Sequence, residues 1–269
     1  MKLVGYAWCQ SISELFDTIS NYEGQGVSSI EVGLGNSCFL DQVGPIEMDQ
    51  LLYKLQNARL HVNSVHAPFG SDIDFSSFDD SIHERGVASL IEAIEFTHVL
   101  GASYTIVHPG NGPVLNDRIR RLDRSTGVIR ELAVIAKESG VTLAVENMPP
   151  GYLCCSEEEL ARLVEAAYSD AVGVCFDTGH ANLSPSFEDQ ARHLLPYAVT
   201  MHLHDNDGLV DQHKFPGLGT IDWPSFAELR NKLNTHATMT IETMPPEGWS
   251  WVQAFERLNQ ILMPAGKTM

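Results

Sequence analysis

The chain has 269 residues, of which 43% are hydrophobic and 19% charged, and a formal net charge of −18. That length suits one large single-core domain, residues 1–269, and α/β barrels commonly reach it without splitting. With 35 acids against 17 lysines and arginines, the balance disfavours nucleic acid and anionic membranes as partners, because both are met with a basic face.

No apolar run reaches the roughly 18 residues needed to cross a bilayer. The opening MKLVGYAWCQSISEL turns polar too soon for a secretory signal and reads as a first strand. The five cysteines, Cys9, Cys38, Cys154, Cys155 and Cys175, are odd in number and form no CxxC pair. This argues against a disulfide framework or a cysteine zinc site, and it points to a reducing, cytoplasmic setting. The sequon Asn182-Leu183-Ser184 then carries no weight.

Taken in chain order, the first strand is LVGYAW (3–8), followed by the helical stretch SISELFDTISNYEGQG. The second strand is SIEVGL (29–34) and the third HVNSVHA (61–67). A long helix follows in DSIHERGVASLIEAIEFTHVLGA, with Val87, Leu90, Ile91, Ile94 and Val99 at helical spacing. The fourth strand, SYTIVH (103–108), leads to a helix in RSTGVIRELAVIAKESG that stops on Gly140. The fifth is TLAVEN (142–147), and the helix SEEELARLVEAA after it opens with Ser156 three residues before Glu159, a capping box. The sixth, seventh and eighth are VGVCFD (172–177), VTMHLH (199–204) and TMTIET (238–243).

These strands are apolar enough to be covered on both faces, as in a parallel sheet. Eight of them in strict turn with about eight helices predict a single (β/α)8 TIM barrel. The rival, a doubly wound open sheet, usually carries GxGxxG after its first strand, and none is present.

The polar residues fall in a pattern. The third strand ends at His66, the fourth at His108 and the fifth at Glu146. The sixth ends in DTGH, with Asp177 and His180, and the seventh in HLHD, with His202, His204 and Asp205. Asp211 and His213 follow in the next loop, and the eighth strand ends at Glu242. A barrel brings all C-terminal strand ends to one mouth, where active sites are built. His, Asp and Glu together without Cys suit a divalent cation such as zinc or manganese, which relieves the repulsion among clustered carboxylates.

Each residue alone has a plainer reading. A histidine at a strand end is commonly hydrogen-bonded structure, and an Asp there commonly caps a helix. His61, His83, His98, His193 and His236 receive that plainer reading, while six consecutive strands ending in ligand-type residues do not. In DTGH the glycine is expected to let the backbone bend. DNDG (205–208) begins like a calcium loop but lacks its spacing and terminal Glu. Ser64 and Thr178 have no Ser-His-Asp context. GNG (110–112) reads as a turn, and Lys214 with the glycines of PGLG offers a weak phosphate site.

The motifs HAPFG, HPG, EN, DTGH, HLHDNDG, D-x-H-x-x-P-G-x-G-x-x-D-W and IET resemble those of the xylose-isomerase-like barrels. That superfamily holds sugar isomerases and epimerases together with the endonuclease IV family (AP endonuclease family 2). The resemblance runs from the first strand to Glu242, and it specifies the fold more sharply than the reaction. In the ketose epimerase branch it implies one metal, often manganese, on Glu146, Asp177, His202 and Glu242. The two glutamates also move protons, and His180 helps hold the sugar. The position of His213 is commonly Arg there.

In the endonuclease IV branch the resemblance implies three zinc ions. His66 and His108 match ligands of the first, Glu146 a bridge, Asp177, His202 and Glu242 the second, and His180, Asp211 and His213 the third. Against a nuclease stand the charge and the loop GLGNSCFLDQVGP after the second strand, which has no Arg to enter a duplex.

The resulting expectation is a metal-dependent isomerase or epimerase of a sugar or related polyol, with one to three divalent ions. Glu146 and Glu242 are its proton carriers, Trp8, Phe69 and Trp223 its apolar walls, and His180 and His213 its further substrate contacts. The alternatives are a trinuclear zinc phosphoesterase, a dehydratase on a sugar-like acid and a barrel turned binding protein. The partner is a sugar-like small molecule, and a homo-oligomer stays open.

Overall fold

Alternate side chains along a strand project to opposite faces of its sheet, and that period sorts this chain into two layers. A computed structural model describes residues 3–114, 116–233 and 236–263. The elements are β1 (Leu3–Cys9), α1 (Ile12–Tyr22), β2 (Ser29–Leu34), α2 (Pro45–Ala58), β3 (His61–His66), α3 (Asp80–Val99), β4 (Tyr104–Val107), α4 (Arg118–Glu138), β5 (Thr142–Glu146), α5 (Glu157–Ala167), β6 (Val172–Asp177), α6 (Thr178–Asn182), α7 (Phe187–Leu194), β7 (Ala198–Leu203), α8 (Trp223–Lys232), β8 (Thr238–Ile241) and α9 (Trp251–Leu262). The strands are parallel and pair in chain order, and the barrel closes where β8 meets β1 at Leu3↔Met239 and Val4↔Thr240. The TIM barrel expected from the alternation of elements is the fold observed.

The outward residues, among them Ile30, Val32, Val65, Val145, Phe176, Met201 and Ile241, join the helices in one continuous core. Each helix supplies an apolar stripe. In α1, Ile12, Leu15, Ile19 and Tyr22 are buried, and Ser11 caps the start by accepting the Glu14 N–H. Asp79 caps α3 in the same way, accepting from Ser81 and Ile82. Among the described residues, no helix is long and apolar enough to cross a membrane.

Three local readings change. The helix expected from residue 124 begins at Arg118, because Arg118 is fixed at its start by Glu159, Nε to Oε1 at 2.6 Å. Glu159 therefore does not complete a capping box. Ser156 accepts the Glu159 N–H at 3.3 Å, but the Glu159 carboxylate turns to Arg118 and the Cys154 N–H. The last residues of several expected strands, such as His108, Asn147, His204 and Glu242, lie just beyond the strands.

The loop between β7 and α8 is long, and Asp205 organises it. Its fully buried carboxylate accepts the N–H groups of Asn206 (2.9 Å), Gly217 (2.9 Å) and Ile221 (3.2 Å) and the Trp223 indole N–H (2.8 Å). DNDG is therefore a loop anchor. PGLG wraps Asp205 instead of offering a phosphate site, and Lys214 pairs through its backbone with Asp205 at 2.7 and 2.8 Å. Trp223, expected as a substrate wall, is buried at the start of α8 and belongs to the core.

Asp205→Ala leaves four donors without their acceptor, each costing about 1–3 kcal/mol. The expected loss in urea unfolding is about 3 kcal/mol or more, with Asp205→Asn less damaging. A loss below about 1 kcal/mol contradicts this anchoring role.

Candidate active site

Inward positions at the ends of the strands converge at the mouth. Glu146 ends β5, Asp177 ends β6, His202 lies in β7 and Glu242 follows β8. One ligand atom from each of these four buried residues lies within 4.8 Å of the others. At the centre is His202 Nδ1, 3.3 Å from Glu146 Oε1, 3.2 Å from Glu242 Oε2 and 3.8 Å from Asp177 Oδ2.

Two flanking groups extend the cluster. On one side His66 Nε2 and His108 Nε2 stand 3.5 and 3.2 Å from Glu146 Oε2. On the other, Asp211 Oδ2 lies 3.3 Å from His180 Nε2 and 3.1 Å from His213 Nε2. His180 Nδ1 donates to the Asn147 carbonyl at 2.9 Å and lies 3.4 Å from Glu146 Oε1, which places this group beside the centre. The nine residues matched to metal ligands in the sequence share one mouth, whereas Asp205, noted with them, is committed to the loop after β7.

Asp177 has two roles at once. Its Oδ1 caps α6 by accepting the His180 N–H at 2.7 Å, while its carboxylate also faces the cluster. Asn147 fixes the Asp177 backbone, donating to its carbonyl at 2.9 Å and accepting its N–H at 2.7 Å.

The electrostatics are those of crowded carboxylates held by imidazoles. Burial alone would raise the Glu146 pKa. The charge of His202 and the close imidazoles of His108, His180 and His202 hold it well below the usual carboxylate range. Burial opposes protonation of His202, yet Cys175, Glu242, Glu31 and Glu146 raise its pKa well above the ordinary value. At Asp211 burial is again outweighed, here by hydrogen bonds with His180 and His213, and its pKa is low. Burial disfavours charge on His213 as well, but the Asp211 hydrogen bond and the Glu242 charge bring it up to about 9.

The donor set fits a divalent cation. It contains imidazoles and carboxylates without thiolate, and Glu146 Oε2, Glu242 Oε2 and His204 Nδ1 are buried with no hydrogen-bond partner among the described residues. His213 takes a left-handed backbone conformation at φ 44°, rare for a residue with a side chain and often a mark of functional sites.

Four contributors were less visible in the sequence. His204 is fully buried, with Nε2 3.0 Å from Asp177 Oδ2 and its ring stacked on His213 at 3.9 Å. The i, i+2 spacing after His202 is the signal for it. Glu31 lies 2.9 Å from His202 Nε2, and its signal is one acid inside the apolar strand SIEVGL. Ser64, dismissed as a nucleophile, donates to Glu31 at 2.6 Å. Thr178 binds the carbonyls of His202 and His204 at 3.2 and 2.8 Å.

The glycine of DTGH acts through space, not through a bend. Gly179 sits in α6 with no left-handed φ, and a Cβ there would lie 1.9 Å from His204 Cε1. The set-aside histidines His83, His98 and His193 make backbone hydrogen bonds away from the mouth, with Phe75, Ser139 and Asp189.

Above the cluster lies a cavity of about 920 Å³. Trp8 and Phe69 form one wall, and Phe69 stacks on His108 at 4.3 Å. Because β8 pairs with only the first part of β1, the cavity also runs sideways towards α1 and Trp251.

Residues 22–261 match the model of the xylose isomerase-like TIM barrel family, and the chain belongs to that family. An uncharacterised protein of Methanocaldococcus jannaschii is 31% identical over 185 residues, 66% of this chain and 63% of its own length. The match thus spans less than two thirds of that relative. The probable endonuclease 4 of Sulfurihydrogenibium sp. is 24% identical over 220 residues, 75% of this chain and 78% of its own. Among solved structures, a D-tagatose 3-epimerase-like protein superposes with a TM-score of 0.81 at 24% identity, covering 97% of both chains. D-psicose 3-epimerase from Clostridium cellulolyticum H10 gives 0.80 at 18% identity, covering 97% of this chain and 99% of that one. These likenesses show the fold.

Gly179→Ala should push the His204 ring off Asp177 and His213. The expected result is a less stable chain with Mn²⁺ affinity about tenfold weaker. Gly127→Ala is the control. Nothing stands within 4 Å of a Cβ there, and the change should stabilise α4 by up to about 1 kcal/mol. Equal Mn²⁺ binding by Gly179→Ala and the unaltered chain contradicts the packing argument.

Proposed function

We propose that the chain is a divalent-metal-dependent isomerase or epimerase of a sugar or sugar-like polyol. The observation that carries this reading is the approach of Glu146 and Glu242, on β5 and just after β8, to 3.3 and 3.2 Å from one imidazole nitrogen. Two carboxylates from different walls can then face one bound substrate. Glu146, Asp177, His202 and Glu242 would hold the cation, which when bound polarises a carbonyl and its neighbouring hydroxyl and acidifies the intervening C–H.

The chain's own residues do the rest. One glutamate takes the carbon-bound proton, and the other returns a proton to the opposite face of the same carbon. Water restores both carboxyl groups between turnovers. His180 and His213 donate to substrate hydroxyls. Trp8 and Phe69 cover an apolar sugar face and limit access of bulk water. The cavity, about 920 Å³, has room for a substrate larger than one sugar ring. The net charge of −18 suits a small molecule better than a nucleic acid. The epimerase names among structures of the same fold support the reading.

A second reading rests on the full nine-residue set and the endonuclease 4 names among the relatives. In it, His66, His108, His180, Asp211 and His213 complete a three-zinc phosphoesterase.

The test is solvent exchange. Mn²⁺-loaded protein incubated with ketohexoses in deuterated water should place deuterium on carbon beside the carbonyl. Glu242→Gln should lower that rate about 100-fold or more with Mn²⁺ still bound. Undiminished exchange in Glu242→Gln overturns the role. No exchange with any ketose, together with cleavage of a phosphodiester by the zinc-loaded chain, favours the second reading.

Metal uptake should also be linked to protons. The carboxylates hold protons on His202, His180 and His213, the last with a pKa of about 9. For each, the proton-bound form is favoured in the fold, and that contribution fades as pH rises through the raised pKa. A cation held by Glu146, Asp177, His202 and Glu242 must displace the proton on His202, so Mn²⁺ affinity should rise from pH 6 to pH 8, with net proton release in buffers of different ionisation enthalpy. Affinity independent of pH contradicts ligation by His202.

A further inference from the structure

Glu31 is a buried carboxylate that the proposed chemistry does not use. It sits inside β2, is fully buried and does not line the cavity. No Lys or Arg pairs with it among the described residues. Such a group costs several kcal/mol unless charge and hydrogen bonds compensate it. Here Ser64 Oγ donates to Oε2 at 2.6 Å, and Thr240 Oγ1 lies 3.3 Å from the same oxygen. Oε1 faces His202 Nε2 at 2.9 Å.

The two nitrogens of His202 therefore have different company. Nδ1 looks up to Glu146, Glu242 and Asp177, and Nε2 looks down to Glu31. An imidazole that ligates through one nitrogen carries its proton on the other, and the partner of that proton sets tautomer, orientation and basicity.

We infer that Glu31 is a positioning residue that keeps the His202 proton on Nε2 and turns the Nδ1 lone pair into the cluster. The inference rests on the metal-centre reading above. Neither Nε2 nor Oε1 makes an aligned hydrogen bond in this ring orientation. The side chains behind Glu31 continue the support. Asn63 Nδ2 reaches Ser64 Oγ (3.2 Å) and Thr238 Oγ1 (3.1 Å), which in turn meets Thr200 Oγ1 (3.0 Å). Strands β2, β3, β7 and β8 thus share one polar lattice under the mouth, and Glu31 joins it to His202.

The experiment titrates metal-stripped protein with Mn²⁺ against a competing chelator, in the unaltered chain, Glu31→Gln and Glu31→Leu. Circular dichroism and Tm report the fold. Glu31→Gln should weaken Mn²⁺ binding about tenfold or more without lowering Tm, and Glu31→Leu should weaken it further. In parallel, ¹⁵N NMR of the Zn²⁺-loaded unaltered chain should show His202 protonated on Nε2 and ligated through Nδ1. Unchanged affinity in both variants overturns the inference, as does ligation through Nε2. If neither variant folds, the NMR measurement decides alone. Failure of the unaltered chain to bind either metal overturns the metal-centre reading itself, a result distinct from equal binding by all three.

Discussion

One imidazole ring ordered between carboxylates is the constraint on which the mouth of this barrel depends. His202 is fully buried with Glu146, Asp177 and Glu242 on one side and Glu31 on the other. Four carboxylates at such distances repel strongly in a medium that screens poorly. The arrangement persists only where positive charge, from protons on imidazoles or from a cation, sits among them. The barrel supplies the rigidity that this crowding demands. Each acid is carried by, or stands directly after, a strand whose opposite face is packed into the continuous core.

The interior of the barrel is divided to serve that site. Ile106, Ala144 and Cys175, with Tyr104 and Val199, fill the apolar part under β4, β5 and β6. Hydroxyl and amide groups from β3, β7 and β8 occupy the other part, behind Glu31. TIM barrels more often fill this space with branched aliphatic layers. Here packing has been exchanged for hydrogen bonding beneath His202, which makes the placement of that ring directional.

Much of this was legible from residue order. β2 and β6 span the residues read from their apolar runs, and every residue of both is buried, as expected of strands covered on both faces. The nine mouth residues were found because a barrel turns strand ends into neighbours, so position in the strand substitutes for position in space. What escaped depended on side-chain direction. Trp223 looked like a substrate wall, yet its indole N–H is claimed by Asp205. Gly179 looked like a hinge, yet its lack of a Cβ is what admits His204. Glu159 looked like half a capping box, yet a guanidinium 41 residues earlier in the chain outcompetes the local backbone. Each outcome was set by a partner distant in sequence, which local pattern cannot reveal.

The same cluster can in principle support proton transfer at carbon or hydrolysis at phosphorus, since both need a cation held by carboxylates and imidazoles. The claim common to both is that the centre around His202 Nδ1 is a metal site. Anomalous diffraction from crystals of the Mn²⁺-loaded chain tests it most directly. The account predicts a manganese peak enclosed by Glu146, Asp177, His202 and Glu242. No peak there in a fully loaded, folded protein would contradict it.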